Sequence, residues 1–408
     1  MNSDLKKELN IRDITLKELD VNDNIIIYGA TIGGVLIYNF LKMHGFKKLK
    51  IVDRNKKNTV FYSIKIYSPV ITQSLENCKC LLVLTTAIGS GGRALKDLGI
   101  KSIYSVSSII KDLGDYDNCF EQKEDKYKAH EFKIMYDMYL NVGSSKQFIL
   151  PAFAIVTTYK CTLKCKLCNM LLPYFKEHRE FSPNEIVENL NIVLNVVDKI
   201  GLLNIAGGEP FVYKKTQELL KLIMQSPNIK KIKEIRFITN GTIIPSDAII
   251  KTIKKYNIAV EISDYGKVSH RLHDLVDACK NNNIRYSVKK FRWVDFGFPK
   301  NHDYSHDTLV KMLDECILAH CEQIHGNKFY RCGRIPGIEH VGKAIIREED
   351  FVTLNPTIEP QKMREKLIDY INSEYLDACR YCNGYNKNNT NKAAGVQLDC
   401  HLQPTTTH

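Results

Sequence analysis

Cys161, Cys165 and Cys168 stand as C-x-x-x-C-x-x-C in the run TTYKCTLKCKLCNM. A four-iron cluster has four corners, and most protein sites close all four with thiolates. Three cysteines on one short loop would hold three irons and leave the fourth open. A catalytic zinc keeps an open position for substrate in the same way. The same spacing also fits a zinc knuckle or three reduced core thiols, so its meaning rests on structural context.

That context is an apolar, β-branched run, Ala152 to Thr158, which reads as a strand. The cysteines lie just past its C-terminal end, where α/β sheets and barrels place their chemistry. About forty residues on, Leu202 to Ala206 runs into Gly207-Gly208-Glu209-Pro210. Glycines there let backbone approach a ligand closely, and Glu209 supplies a carboxylate. Alone, the motif is a tight turn. Asn240, Ser263 and Asp264 end the apolar runs Ile235 to Thr239 and Ile258 to Ser263. Side chains at strand ends reach a ligand, although all three residue types also form turns.

On the cysteine triplet and the GGEP at 207–210, residues 150 to about 300 resemble the radical SAM superfamily. The resemblance implies that Cys161, Cys165 and Cys168 hold a [4Fe-4S] cluster. Its open iron would be chelated by the amino and carboxylate groups of S-adenosylmethionine (SAM). Gly207, Gly208, Glu209 and Pro210 would bind that cofactor, with Glu209 on the methionine amino group. Asn240, Ser263 and Asp264 would meet the SAM ribose or the substrate. An electron from a flavodoxin- or ferredoxin-type donor, passed through the cluster, would split the sulfonium. The resulting 5′-deoxyadenosyl radical would abstract hydrogen from a substrate. The position before the third cysteine is often aromatic in the family; here it is Leu167, which still offers an apolar surface to adenine.

The elements that must position these residues follow from the pattern. Ser182-Pro183-Asn184-Glu185 is a capping box with proline at the first helical position, and apolar residues recur at helical spacing up to a stop at Gly201. Ser246 caps a further helix, and another runs near Val268 to Lys280 with Cys279 in the core. Strands at 284–288 and 291–296 complete a six-stranded count. Alternating βα units imply a parallel sheet with right-handed crossovers. The fold class is therefore α/β, and the resemblance to the radical SAM family implies a partial (β/α)6 TIM-type barrel over 151–300.

A second set of cysteines, Cys316, Cys321, Cys332, Cys379 and Cys382, flanks a hairpin turn at Gly326-Asn327 and ends in C-x-x-C. A zinc ribbon would look similar. Beside a radical SAM core the layout resembles a SPASM or twitch extension, which implies a second, auxiliary [4Fe-4S] cluster in a small Cys-rich domain over 301–385. Five cysteines suit one cluster, which favours the twitch type and leaves one thiol spare.

Residues 1–120 read as a Rossmann-like domain: strand Asn24 to Tyr28, glycine-rich turn Gly29 to Gly34, helix, then strand Leu49 to Val52 ending in Asp53. Thr31 occupies the middle glycine of the dinucleotide pattern and hinders close approach of a pyrophosphate. The domain resembles those attached to bacterial sugar-modifying acetyltransferases, and its role is either ligand binding or a purely structural or partner-docking one. Residues 121–150 read as a charged linker with a helix, and 386–408 as a flexible tail.

The chain has 408 residues, 44% hydrophobic and 25% charged, and a formal net charge of +12. Its lysines are dispersed, with no nucleic-acid motif and no run of the ~18 apolar residues that a membrane helix needs. Thirteen cysteines without an apolar leader favour metal ligation over disulfides and a cytoplasmic setting. The expected function is a radical SAM enzyme acting on a small, anionic, sugar- or nucleotide-linked substrate. The alternatives are a radical SAM peptide maturase and a non-enzymatic zinc-binding adaptor.

Overall fold

The computed structural model describes residues 9–54, 56–74, 78–84, 88–114, 117–141, 147–290, 292–342, 345–386 and 388–398. The chain divides into two compact units, Met1–Pro151 and Ala152–His408.

In the first unit, apolar runs such as Ile25, Ile26 and Ile27 are fully buried in a seven-stranded sheet. Its strands are β1 (Arg12–Asp13), β2 (Asn24–Tyr28), β3 (Leu49–Val52), β4 (Val60–Phe61), β5 (Ile64–Tyr67), β6 (Cys78–Leu82) and β7 (Ile103–Ser105). They lie in the order β1-β7-β6-β2-β3-β5-β4, and only β4 runs antiparallel to its neighbour. The order reverses at β2, as in doubly wound nucleotide-binding sheets. Helix α1 (Ile32–Met43) starts on Thr31, whose hydroxyl accepts the Gly34 N–H at 3.2 Å. Helices α2 (Ile88–Asp97) and α3 (Ser107–Asp112) follow.

Two details differ from the expected dinucleotide site. The Asp53 carboxylate accepts the Ala30 and Lys56 N–H groups, each at 2.9 Å, so it closes its own loop. Helix α4 (Lys123–Asn141) is not a linker: the Tyr136 hydroxyl donates to Leu82 O at 2.6 Å and accepts from Val106 N at 3.1 Å. The Phe132 ring stands where a Cβ on Gly33 would lie. Ala129, Phe132 and Tyr136 recur at helical spacing and are buried, so α4 belongs to the first core.

The second unit is built on an eight-stranded sheet ordered β12-β11-β10-β9-β8-β13-β14-β15. The strands are β8 (Ile149–Val156), β9 (Lys199–Ala206), β10 (Ile232–Thr239), β11 (Ala259–Ser263), β12 (Tyr286–Lys289), β13 (Gln323–His325), β14 (Lys328–Tyr330) and β15 (Val352–Thr353). Helices α5 (Pro183–Val196), α6 (Thr216–Met224), α7 (Asp247–Lys255) and α8 (Leu272–Asn281) alternate with β8 to β12. Ser182 and Ser246 cap α5 and α7 as expected. The α5 helix stops at Val196, and Gly201 lies inside β9. Cys279 is buried.

The sixth parallel strand is not where the apolar run suggested. Phe291 lies outside the described residues, and 292–296 carries only an isolated bridge between Trp293 and Lys392. Instead β13 pairs in parallel with β8, on the opposite side from β9. The hairpin β13–β14 turns at Gly326-Asn327, with His325 opposite Lys328. The Cys-rich region is therefore not detached, since its hairpin continues the main sheet. Helices α9 (His306–Glu315), α10 (Ile335–His340) and α11 (Pro360–Ile371) complete it. Residues 388–398 are not a loose tail. Lys392 exchanges backbone hydrogen bonds with Trp293 at 2.8 and 2.9 Å. Leu398 N–H donates to Lys164 O at 2.8 Å, and Lys166 N–H donates to Val396 O at 2.7 Å. Cys400 lies outside the described residues. No helix among the described residues is long and apolar enough to cross a membrane.

Candidate active site at the C-terminal strand ends

Beyond β8, Thr157 and Thr158 are buried and Tyr159 anchors the loop that carries the cysteines. The Tyr159 hydroxyl bonds His325 Nδ1 at 2.9 Å, and His325 Nε2 bonds Gln323 Oε1 at 2.7 Å. The Gln323 amide nitrogen donates to Cys321 O, so Oε1 must accept from the ring. Nδ1 therefore accepts the Tyr159 proton. Burial, with His340 adding to it, lowers the His325 pKa to about 3 and keeps the ring neutral. Hydrogen bonds from Cys168 N–H to Cys165 O and from Leu171 N–H to Cys168 O fold the loop itself, with Leu167 half-buried on it.

The GGEP turn docks directly on this loop. Gly208 N–H donates to Thr158 O at 2.8 Å, and Glu209 N–H donates to Lys160 O at 2.9 Å. A Cβ on Gly208 would lie 2.6 Å from the Lys160 carbonyl carbon and 2.9 Å from Cys161 Cβ, and closer still to the Lys160 oxygen. Gly207 holds φ +147, in the region that favours glycine. The glycines thus let two backbone segments meet, a reason the sequence reading had assigned to a ligand. Glu209 is fully buried, and Pro210 starts the short turn Pro210–Val212 behind it. Glu209 Oε1 accepts from Phe211 N at 3.1 Å and Thr239 Oγ1 at 2.8 Å, and Oε2 accepts from Asn240 N at 2.8 Å. Burial pushes its carboxyl up to about 7 against the lowering effect of those three donors. Its side chain ties β9 to β10, and both oxygens are already engaged within the protein.

Asn240 reaches the first cysteine. Its Nδ2 donates to Cys161 Sγ at 3.6 Å and to Thr162 Oγ1 at 3.1 Å, while Oδ1 accepts from Thr242 N at 3.0 Å. Ser263 and Asp264 serve the next turn. Ser263 O accepts from Ser269 Oγ at 3.0 Å, and Asp264 Oδ1 accepts from Gly266 N at 2.8 Å.

Burial pushes the free thiols up, Cys161 to about 12 and Cys165 to about 11, with Cys168 also raised. Loading a metal cluster must therefore release their protons. The three thiols interact electrostatically with one another, and all three with Tyr265. Three thiolates from one loop are the donor set that suits three corners of an iron–sulfur cube. Among the described residues, no group of three or more His, Cys, Asp or Glu side chains is arranged to hold a single metal ion.

The second cysteine set surrounds a pocket lined by Cys316, Cys332, Cys379 and Cys382, with Phe296, Leu313 and Arg334 among its walls. Cys321 does not line it. Burial raises all five thiols, Cys316 to about 12 and Cys332 to about 11. Four soft donors around one pocket fit a fully ligated cube. Arg334 is buried, and the charges of Cys382, Cys332 and Cys168 all act on it. It also donates to Phe296 O and Gly297 O. Sequence reasoning missed Arg334, His325 and Gln397, because nothing in their neighbourhoods marks them.

Residues 155–287 match the family profile of the Radical SAM superfamily. The chain is 28% identical over 160 residues to a GTP 3′,8-cyclase of Clostridium perfringens (strain SM101 / Type A), covering 35% of this chain and 46% of that protein. It thus spans less than half the length of this curated relative. Among solved structures, anSMEcpe with bound AdoMet is similar at TM-score 0.39 and 13% identity, covering 62% of this chain and 93% of that one. BtrN in complex with AdoMet and 2-DOIA is similar at TM-score 0.35 and 13% identity, covering 60% and 98%. The profile match carries the assignment, because it begins in β8 and ends in β12 and so contains the cysteine loop and the GGEP turn docked on it. Residues 155–287 are thus a radical SAM domain, of the superfamily whose enzymes use S-adenosylmethionine and a [4Fe-4S] cluster.

Proposed function

We propose that this protein reductively cleaves SAM and abstracts hydrogen from a small, anionic, sugar- or nucleotide-linked substrate. The observation that carries the reading is the docking of the cysteine loop on the GGEP turn at the C-terminal ends of β8 and β9. When bound, the cluster and SAM supply one electron and a carbon-centred radical. Cys161, Cys165 and Cys168 would hold three irons and leave the fourth for SAM. Asn240 would hold Cys161 in place from the end of β10. Oε1 of Glu209 accepts two protein donors and Oε2 one, which leaves a lone pair of Oε2 for the methionine amino group.

An anionic substrate is supported by a polar row across four adjacent strands. Arg236 Nε donates to Asn204 Oδ1 at 2.7 Å, and its Nη1 pairs with Glu261 Oε2 at 2.7 Å. Lys289 pairs with the same carboxylate. Burial pushes the Glu261 carboxyl up, but the Arg236 and Lys289 charges overcome this and hold it below the usual range. Two cations, Arg236 and Lys289, flank one carboxylate in this row. The similarity to GTP 3′,8-cyclases supports a nucleotide-linked substrate. Cys316, Cys332, Cys379 and Cys382 would hold the auxiliary cluster, and a flavodoxin- or ferredoxin-type protein would supply the electron. The test is a panel of deuterated nucleotides and nucleotide sugars. Deuterium should appear in 5′-deoxyadenosine with a member of the panel. Transfer only from a peptide would overturn the substrate class.

A further inference from the structure

The segment from Asn389 to Leu398 returns over the cysteine loop as a strap. Asn389 O accepts from Asp295 N at 2.8 Å, Lys392 bridges Trp293, and Gln397 forms an antiparallel bridge with Cys165. Gly395 is buried against Tyr265, where a Cβ would lie 2.6 Å from Tyr265 Cβ.

The Gln397 amide has one possible orientation. Its Oε1 accepts the Lys164 N–H at 2.7 Å, and backbone N–H is only a donor. Its Nε2 donates to Gly395 O at 2.6 Å, and a carbonyl is only an acceptor. Of the two amide hydrogens, one is taken by Gly395. The other points at Cys165 Sγ, 3.3 Å from Nε2. Two protein groups, Lys164 N–H and Gly395 O, thus aim one N–H at one thiol of the triplet.

We propose that Gln397 is a positioning residue that sets the reduction potential of the cluster held by Cys161, Cys165 and Cys168, through an N–H···S hydrogen bond to Cys165. The inference rests on the functional reading above. Reduction adds one electron to the [4Fe-4S]2+ state, with no bond made or broken. Part of the added charge falls on the ligating sulfurs, and a fixed donor stabilises the reduced form more than the oxidised one. Hydrogen bonds to sulfur are among the groups that tune such clusters. The donor therefore raises the potential.

The experiment is a redox titration of the anaerobically reconstituted full chain, followed by electron paramagnetic resonance. The [4Fe-4S]+ signal that changes when SAM is added identifies the catalytic cluster. Gln397→Leu removes the donor. Gln397→Glu keeps the size and the bond from Lys164 N–H, loses the donor to Gly395 O and Cys165 Sγ, and sets a negative charge beside the sulfur. The midpoint should fall from wild type to Leu and further to Glu. For Leu the oxidised-to-reduced ratio at fixed potential should rise about fivefold to tenfold, tenfold being 59 mV for a one-electron couple. If the Leu variant sheds its cluster, the Glu variant carries the comparison. Midpoints equal to wild type in variants that keep full iron would overturn the proposal and leave the strap a clamp. Absence of any SAM-responsive signal in wild type would instead overturn the functional reading.

Discussion

Gly208→Ala separates two reasons for a glycine at the GGEP turn. The added methyl would lie 2.6 Å from the Lys160 carbonyl carbon and 2.9 Å from Cys161 Cβ, a backbone atom and a Cβ fixed to backbone, neither of which can rotate away. Either the turn or the cysteine loop must shift. A shift loosens two backbone hydrogen bonds, Gly208 N–H to Thr158 O and Glu209 N–H to Lys160 O. Each contributes about 1 kcal/mol net, and overpacking of this kind costs about 1–3 kcal/mol. Together the variant should lose about 3–5 kcal/mol in the second unit. The assay is denaturant unfolding of the reduced metal-free protein, paired with iron and sulfide analysis after reconstitution. The unfolding midpoint should drop and the iron of the catalytic cluster should be lost. A variant with unchanged metal-free stability and full iron, but weaker SAM binding, would refute the reasoning. The glycine would then serve the ligand and not the meeting of two chain segments.

Changing Cys379 and Cys382 to Ala should lower iron from about eight to about four per chain, since two cubes become one, while Cys321→Ala should keep all of it. Iron analysis after reconstitution checks both, and loss of a cluster from Cys321→Ala would contradict the four-cysteine pocket. Glu209 gives a pH signature. Its folded pKa is raised from 4.5 to about 7, so the stability it contributes is full below pH 4.5 and is lost as pH rises through about 7. At about 1.4 kcal/mol per pH unit, the whole span amounts to about 3 kcal/mol. The unfolding free energy of wild type relative to Glu209→Gln should fall by about that amount between pH 4.5 and 7.5. A pH-independent difference would show that the carboxylate does not change protonation on folding.

The site was legible where side-chain pattern carries the information. The β-branched run before Cys161 places the triplet past a strand end, and Ser182 and Ser246 cap helices where expected. It was not legible where backbone does the work. The GGEP glycines accommodate the Lys160 carbonyl, a partner that no local pattern can identify. The run 292–296 is apolar, yet β13 takes the edge beside β8. Residues 388–398 are polar and read as loose, but they are held by backbone pairing and by the Gln397 amide, which hydropathy does not register. Lys123 to Asn141 looked like a charged linker because its buried face, Ala129, Phe132 and Tyr136, is narrow.

The proposed function requires that the loop of Cys161, Cys165 and Cys168 generate a radical from SAM. Its most direct measurement is the formation of methionine and 5′-deoxyadenosine by the reconstituted protein under a strong reductant, without substrate. Wild type should form both in equal amounts, as should the Cys379→Ala/Cys382→Ala variant. Ala at Cys161, Cys165 or Cys168 should abolish the reaction, because two thiolates cannot hold the cube. Release of 5′-deoxyadenosine by a variant lacking all three would contradict the account.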